Sequence, residues 1–314
     1  MGKFNTATSY DSICCFRGRD NGTTRRVLWE TTSRCNLGCS FCHRTVDNAP
    51  DSTAADCAAV LPVFKALGIQ DVILSGGEPL LVRDICSILG ILKDHGFNVD
   101  MCTNGVCVTR SLSSALARAL MEISVSIDSC NPLIHDALRE QRGAWEATIK
   151  AIRTLQDCGL QVHTISLVSM HTIPGIEDTA HFLYGLGIRS MAFIGHLPVR
   201  ARLNPLISDD IQIRLKRVFE CVRAQHPDAA INTKALIKDS EMNVCRAGQY
   251  VFGLDVNLIL KPCILQSKRD GIALRTLESR GSDILATMLD ILRSKPDVVL
   301  GEGICPGSTL LNAI

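Results

Sequence analysis

Short apolar runs and amphipathic stretches take turns along the first two-thirds of this chain. Residues 27–31, 71–74, 98–102, 123–127, 161–168 and 190–194 are compact runs rich in Val, Ile and Leu, the composition of buried strands. Between them, 54–67, 84–95, 112–120, 144–157 and 176–186 space their apolar residues at helical intervals, and 209–223 follows the last strand. Leu67-Gly68, His95-Gly96, Cys158-Gly159 and Leu186-Gly187 each stand just before a strand, where a glycine C-cap ends a helix. Six strand–helix units joined by short turns predict an α/β fold with a parallel sheet. Periodicity alone does not choose between an open doubly wound sheet and a barrel.

The pattern changes after about residue 204. The helix at 209–223 leads into 234–269, where apolar runs at 250–254 and 258–260 flank Val256-Asn257 and predict a β-hairpin. A helical stretch near 282–293 and a tail punctuated by Gly and Pro at 301–307 complete the chain. Three regions result: an N-terminal extension at 1–26, the repeated units at 27–204 and a C-terminal region at 205–314.

Composition narrows the function. The 314 residues are 46% hydrophobic, enough for a sizeable core. Aromatic residues are only 4% and the net charge is +1, so no stacking platform or basic surface for nucleic acid is expected. No run approaches a membrane span, and the first 26 residues hold no apolar signal segment. Fifteen cysteines without a secretory signal predict a reducing, cytoplasmic setting with thiols kept for metal or packing.

Three of those thiols are crowded. Arg34-Cys35-Asn36-Leu37-Gly38-Cys39-Ser40-Phe41-Cys42 follows the first strand, and soft thiolates at this density select zinc or iron–sulfur. Structural zinc wants a fourth ligand, and His43 pairs poorly with Cys42 because adjacent side chains diverge. Three cysteines suit a [4Fe–4S] cube with one iron left open. A loop at the C-terminal end of a parallel strand is also where such folds do chemistry.

The spacing C-x3-C-x2-C, with an aromatic before the third cysteine, resembles the signature of the radical S-adenosylmethionine (radical SAM) superfamily. Ser75-Gly76-Gly77-Glu78-Pro79, after the second strand, resembles the family's GGEP motif. The resemblance implies a partial (β/α)6 barrel of the TIM type over 27–204. It makes Cys35, Cys39 and Cys42 ligands of a [4Fe–4S] cluster whose open iron is chelated by S-adenosylmethionine, and it places Phe41 near adenine. It assigns Gly76, Gly77 and Glu78 to the cofactor's amino group. Polar groups at the next strand ends, Asn104 and then Ser126 and Asp128, fall to its carboxylate and ribose hydroxyls. Alternation puts Ser124, Ser126 and Asp128 on one face of the fourth strand.

Cys245 and Cys263, 17 residues apart around the hairpin, with Cys305 in the tail, resemble the SPASM and twitch extensions of the same superfamily. The resemblance implies one auxiliary [4Fe–4S] cluster, because a hairpin brings its two ends together. Buried free cysteines are the plainer reading of the same residues. A compact extension of this kind further implies hydrogen abstraction from a small sugar-like or nucleoside-like substrate. Epimerisation, dehydrogenation or elimination would follow, as in natural-product biosynthesis, with flavodoxin or ferredoxin as electron donor. A peptide-modifying maturase is the alternative, against which the 26 residues before the barrel look too few for a leader-binding domain. A non-catalytic iron–sulfur carrier is the remote one. No catalytic residue beyond these is assigned.

Overall fold

The computed structural model describes residues 24–42, 48–195, 208–233, 244–245, 250–261, 272–274 and 298–299. Six strands run side by side in chain order, all parallel: β1 (Arg25–Glu30), β2 (Ile69–Ser75), β3 (Asn98–Thr103), β4 (Glu122–Ser126), β5 (Val162–Val168) and β6 (Ser190–Gly195). The helices between and after them are α1 (Ala54–Ala66), α2 (Ile85–Asp94), α3 (Arg110–Ala119), α4 (Pro132–Arg139), α5 (Ala144–Asp157), α6 (Ile176–Gly185) and α7 (Asp209–Gln225). The six βα units are thus those of a partial barrel, and each expected boundary holds within about two residues. None of the described helices is long and apolar enough to cross a membrane.

Sequence periodicity missed several short elements, among them a helix and a strand beside the six units. Helix α4 is only eight residues long, started by Asn131, whose Oδ1 accepts from Leu133 N at 2.9 Å, and by Pro132 in the first turn. Strand β7 (Ala230–Asn232) is three residues long and pairs in parallel with β6. Neither is long enough to show a period.

The C-terminal region joins the same sheet. Strand β9 (Val251–Leu254) lies parallel to β1, and β10 (Ile259–Lys261) returns antiparallel to β9 with β11 (Ile272–Ala273) beyond it. This is the expected hairpin. Its turn is built by Asp255, whose Oδ1 accepts from Asn257 N at 2.9 Å and Ile259 N at 3.1 Å. A separate antiparallel pair joins β8 (Val244–Cys245) to β12 (Val298–Val299). The helix expected at 282–293, the extension before residue 24 and the tail at 301–307 lie outside the described residues.

The sheet has two unlike faces. Val27, Trp29, Val72, Leu74, Val99, Met101, Ile123 and Val125 are buried against the helices. Trp29 meets Phe64 of α1 edge-on at 6.1 Å, and Phe64 meets Phe97 likewise at 6.0 Å. The alternate residues form the inner face, where a small apolar layer of Ile73 and Val251, with Leu28, Cys102 and Ile165 against it, is surrounded by polar side chains. Those include Asp100, Glu122, Ser124 and His163.

Beyond the ends of β1 and β2, the two chains remain in register. Thr31 N donates to Ser75 O at 2.9 Å and Gly77 N to Thr32 O at 2.7 Å. The approach is so close at Gly76 (φ +130°) that a Cβ would sit 2.4 Å from Thr32 O, a backbone atom unable to move aside alone. We expect Gly76→Ala to destabilise the protein by at least about 2 kcal/mol. Gly90→Ala, inside α2 with open space around it, should stabilise it by about 0.5–1 kcal/mol. Thermal unfolding of the two variants checks this; an unchanged melting temperature for Gly76→Ala would contradict the close approach.

Candidate metal and cofactor site

The cysteine loop leaves β1 at its C-terminal end and is tied down at several points. Glu78 N donates to Arg34 O at 2.8 Å, continuing the backbone pairing with the glycine turn. On the outer side Asp51 accepts from Thr32 Oγ1 at 2.6 Å and from Arg34 Nε at 3.0 Å, while Arg34 Nη2 reaches Leu81 O at 2.8 Å. The Arg34 guanidinium holds the Asp51 carboxyl below the usual carboxylate range. The loop is therefore anchored before its thiols are placed.

Cys35 and Cys39 are half-buried and Cys42 is exposed, all three as free thiols. Donors point at two of the sulfurs: Leu37 N lies 3.4 Å and Asn104 Nδ2 3.7 Å from Cys35 Sγ, and Arg139 Nη1 lies 3.8 Å from Cys39 Sγ. Burial pushes the Cys39 thiol up, and the Arg139 charge works against it. Donors and a cation around sulfur stabilise thiolate, the form that binds soft metal. No three His, Cys, Asp or Glu side chains among the described residues are gathered tightly enough for a single metal ion. Three thiols with donors at two of them fit a sulfur-ligated cluster, and His43, the candidate fourth ligand, lies outside the described residues.

Glu78 is fully buried. Its Oε1 accepts from Thr103 Oγ1 at 2.8 Å and Leu80 N at 3.1 Å, and its Oε2 from Asn104 N at 2.8 Å. Burial pushes the carboxyl up to about 7, against these hydrogen bonds and the Arg139 charge. A carboxylate has about four lone-pair sites, so three filled inside the protein leave one for a ligand. Glu78 thereby locks the end of β2 to the end of β3. Asn104 extends the lock, its Nδ2 donating to Asn36 Oδ1 at 2.8 Å and its Oδ1 accepting from Val106 N at 2.9 Å. Gly76, Gly77, Glu78, Asn104 and the cysteine loop are thus brought together at one mouth.

Ser126 closes β4 on the inner face, in register with Ile165. Asp128 lies two residues beyond β4, buried, with its carboxylate engaged within the protein. Arg139 Nε and Nη2 hold its two oxygens at 2.7 and 2.9 Å, Leu167 N donates to Oδ1 at 3.1 Å, and His135 Nδ1 lies 3.3 Å from Oδ2. Burial alone would raise this carboxyl; the Arg139 and His135 contacts override it and hold it at about 2. Both oxygens are engaged, so Asp128 acts by aiming Arg139.

Arg139 is the residue that sequence reasoning missed. It sits at the end of α4, buried, with its guanidinium 5.1 Å from the Phe41 ring centre. Phe41 is thus held under Arg139 within the cysteine loop, and Ser40 N is tied to Leu138 O at 3.2 Å. His135 and Arg139 stand four apart and so share a face of α4. That spacing was the available signal. Of the second cysteine group, Cys245 lies on β8 with Val298 as its register partner; Cys263 and Cys305 lie outside the described residues.

A family model described as the Radical SAM superfamily matches residues 29–183. An AdoMet-dependent heme synthase of Methanosarcina barkeri is 31% identical over 167 residues, covering 52% of this chain and 48% of that protein. A probable GTP 3′,8-cyclase of Methanocaldococcus jannaschii is 25% identical over 185 residues, 57% of this chain and 61% of its own. The chain thus spans about half the length of the curated relatives it matches. In fold it is similar to SuiB of Streptococcus suis bound to S-adenosylmethionine, with a TM-score of 0.69 at 18% identity over 87% of this chain and 68% of that one. The motif spacing, the partial barrel and the family match agree, and residues 29–183 of the chain are a radical SAM superfamily domain.

Proposed function

We propose that this chain removes a hydrogen atom from a small sugar-like or nucleoside-like substrate, leading to epimerisation, dehydrogenation or elimination in natural-product biosynthesis. Cys35, Cys39 and Cys42 would hold the [4Fe–4S] cluster. When bound, cluster and S-adenosylmethionine together supply one-electron cleavage of the sulfonium to a 5′-deoxyadenosyl radical. Gly76 and Gly77 keep side-chain bulk away from the cofactor's approach, and Glu78 offers its remaining lone pair to the amino group. Asn104 donates toward Cys35, Arg139 keeps positive charge against Cys39, and Ser126 presents a hydroxyl from the inner face. Phe41 shields the loop beneath the guanidinium. A flavodoxin or ferredoxin would deliver the electron, in the cytoplasm.

The observation that supports the small-molecule reading is the set of polar side chains on the inner face of the sheet, where Asp100 stands in register with Glu122 and Ser124 with His163. Such donors and acceptors suit a hydroxylated small molecule. A peptide substrate is the second reading. It is favoured by the fold likeness to SuiB bound to the precursor peptide SuiA and by the 26% identity over 145 residues to mycofactocin maturase MftC of Mycolicibacterium smegmatis. Cys245, Cys263 and Cys305 would supply an auxiliary [4Fe–4S] cluster. Anaerobic turnover with pools of sugars, nucleosides and peptides separates the two readings: stimulation of cofactor cleavage by peptides alone would overturn the first.

Replacing Cys35, Cys39 and Cys42 by Ala should abolish release of 5′-deoxyadenosine under dithionite; surviving release would contradict the ligand assignment. Iron in the anaerobically reconstituted protein should approach about eight atoms per chain, and a value of about four would remove the auxiliary cluster. Arg139→Gln should lower both iron retention and cofactor cleavage by about 10-fold or more, with Arg139→Lys recovering part of the loss. Equal iron content in wild type and Arg139→Gln would show that the guanidinium does not support the thiolates.

A further inference from the structure

The last turn of α4 meets the cysteine loop through three successive residues. Leu138 O accepts from Ser40 N at 3.2 Å, Arg139 Nη1 lies 3.8 Å from Cys39 Sγ, and the Glu140 side chain lies against Gly38. A Cβ placed on Gly38 would stand 3.3 Å from Glu140 Oε2 and 3.7 Å from Glu140 Cβ. The carboxylate thus rests on the residue that directly precedes Cys39. The first two contacts tie the loop down. The third brings it an exposed negative charge, opposite in sign to the buried Arg139.

Glu140 holds this place in a strained conformation. Its φ of 53° and ψ of 35° are left-handed, at the C-terminal cap of α4, where glycine is the usual residue because a Cβ is penalised. The turn itself makes no use of the carboxylate. Its backbone closes it, Glu140 N donating to Ala137 O at 3.3 Å and Gln141 N to Asp136 O at 3.1 Å. Glycine would close the same turn without strain. A strained residue beside a functional loop points to work for its side chain, and what this side chain adds is charge next to the thiols. Reducing a cluster on Cys35, Cys39 and Cys42 brings in one electron from the reductant, and with it one negative charge. A carboxylate close by opposes that addition.

We propose that Glu140 tunes the cluster's reduction potential: its carboxylate makes the reduced form harder to reach and therefore a stronger electron donor to the sulfonium. The inference rests on the assignment of Cys35, Cys39 and Cys42 as cluster ligands and adds regulation of that same site. Arg139 and Glu140, adjacent in sequence, then act in different ways on one loop. Arg139 supports the thiolates that retain iron, and Glu140 sets how readily the retained iron is reduced.

A mediated redox titration of the anaerobically reconstituted full chain, followed by the paramagnetic signal of the reduced cluster, tests this. Glu140→Gln keeps the side chain's size and removes its charge. It should shift the reduction equilibrium about threefold toward the reduced form, a rise of about 30 mV in the midpoint. The difference should narrow at high salt, because the carboxylate is exposed. Glu140→Gly should raise the midpoint by the same amount. It should also raise the melting temperature by about 2 °C or more as the left-handed strain is released, whereas Glu140→Gln should leave it unchanged. Glu220→Gln, which removes an exposed carboxylate from the C-terminal half of α7, is the control and should leave the midpoint at its wild-type value. A wild-type midpoint in both Glu140 variants, or an equal shift in the control, would overturn the proposal while a normal cluster signal leaves the ligand assignment standing. A wild-type protein without any [4Fe–4S] signal would overturn both.

Discussion

The site depends on the close backbone contact between the loop after β1 and the turn after β2. Gly77 N to Thr32 O at 2.7 Å and Glu78 N to Arg34 O at 2.8 Å carry the parallel pairing beyond the strands themselves. Only a residue without a Cβ fits at Gly76, because that atom would meet Thr32 O at 2.4 Å. The contact sets where the three thiols stand relative to Glu78, and through Glu78 relative to the end of β3. A strand register inside the barrel is thereby converted into the spacing between the cysteine loop and the glycine turn.

Buried charge reinforces that geometry from the other side. Asp128 and Arg139 form a paired fork with both partners out of water, and the guanidinium extends from that pair to Cys39 and Phe41. Desolvating two charges is costly unless their hydrogen bonds are filled. Here the Asp128 oxygens also receive Leu167 N and face His135, so the carboxylate is well supplied. The result is a fixed positive charge at the cysteine loop, held by β4, α4 and β5 together. It makes the loop's electrostatics a property of the whole barrel wall.

Much of this was legible in the residues alone. The period-2 and period-3.6 patterns located six strands and their helices, because those elements are long enough to repeat a pattern and end on glycine. The cysteine spacing and Gly76-Gly77-Glu78 identified the family because both motifs are local in sequence. Arg139 was not legible in the same way: its role comes from contacts to Asp128, 11 residues away, and to Cys39, 100 residues away. The partners of Asp128 were no more legible, since Arg139 and Leu167 stand 11 and 39 residues away. The inner-face pairing of Glu122 with His163 depends on a β4–β5 register that no single strand encodes.

The central claim is that the three-cysteine loop leaves one iron open to S-adenosylmethionine. Electron paramagnetic resonance of the dithionite-reduced, oxygen-free protein, recorded before and after addition of S-adenosylmethionine, tests it most directly. The account predicts a reduced [4Fe–4S] signal whose g values shift on addition and which disappears in the triple Cys35, Cys39 and Cys42 variant. A spectrum indifferent to the cofactor, or a loop that retains zinc in place of iron, would contradict it.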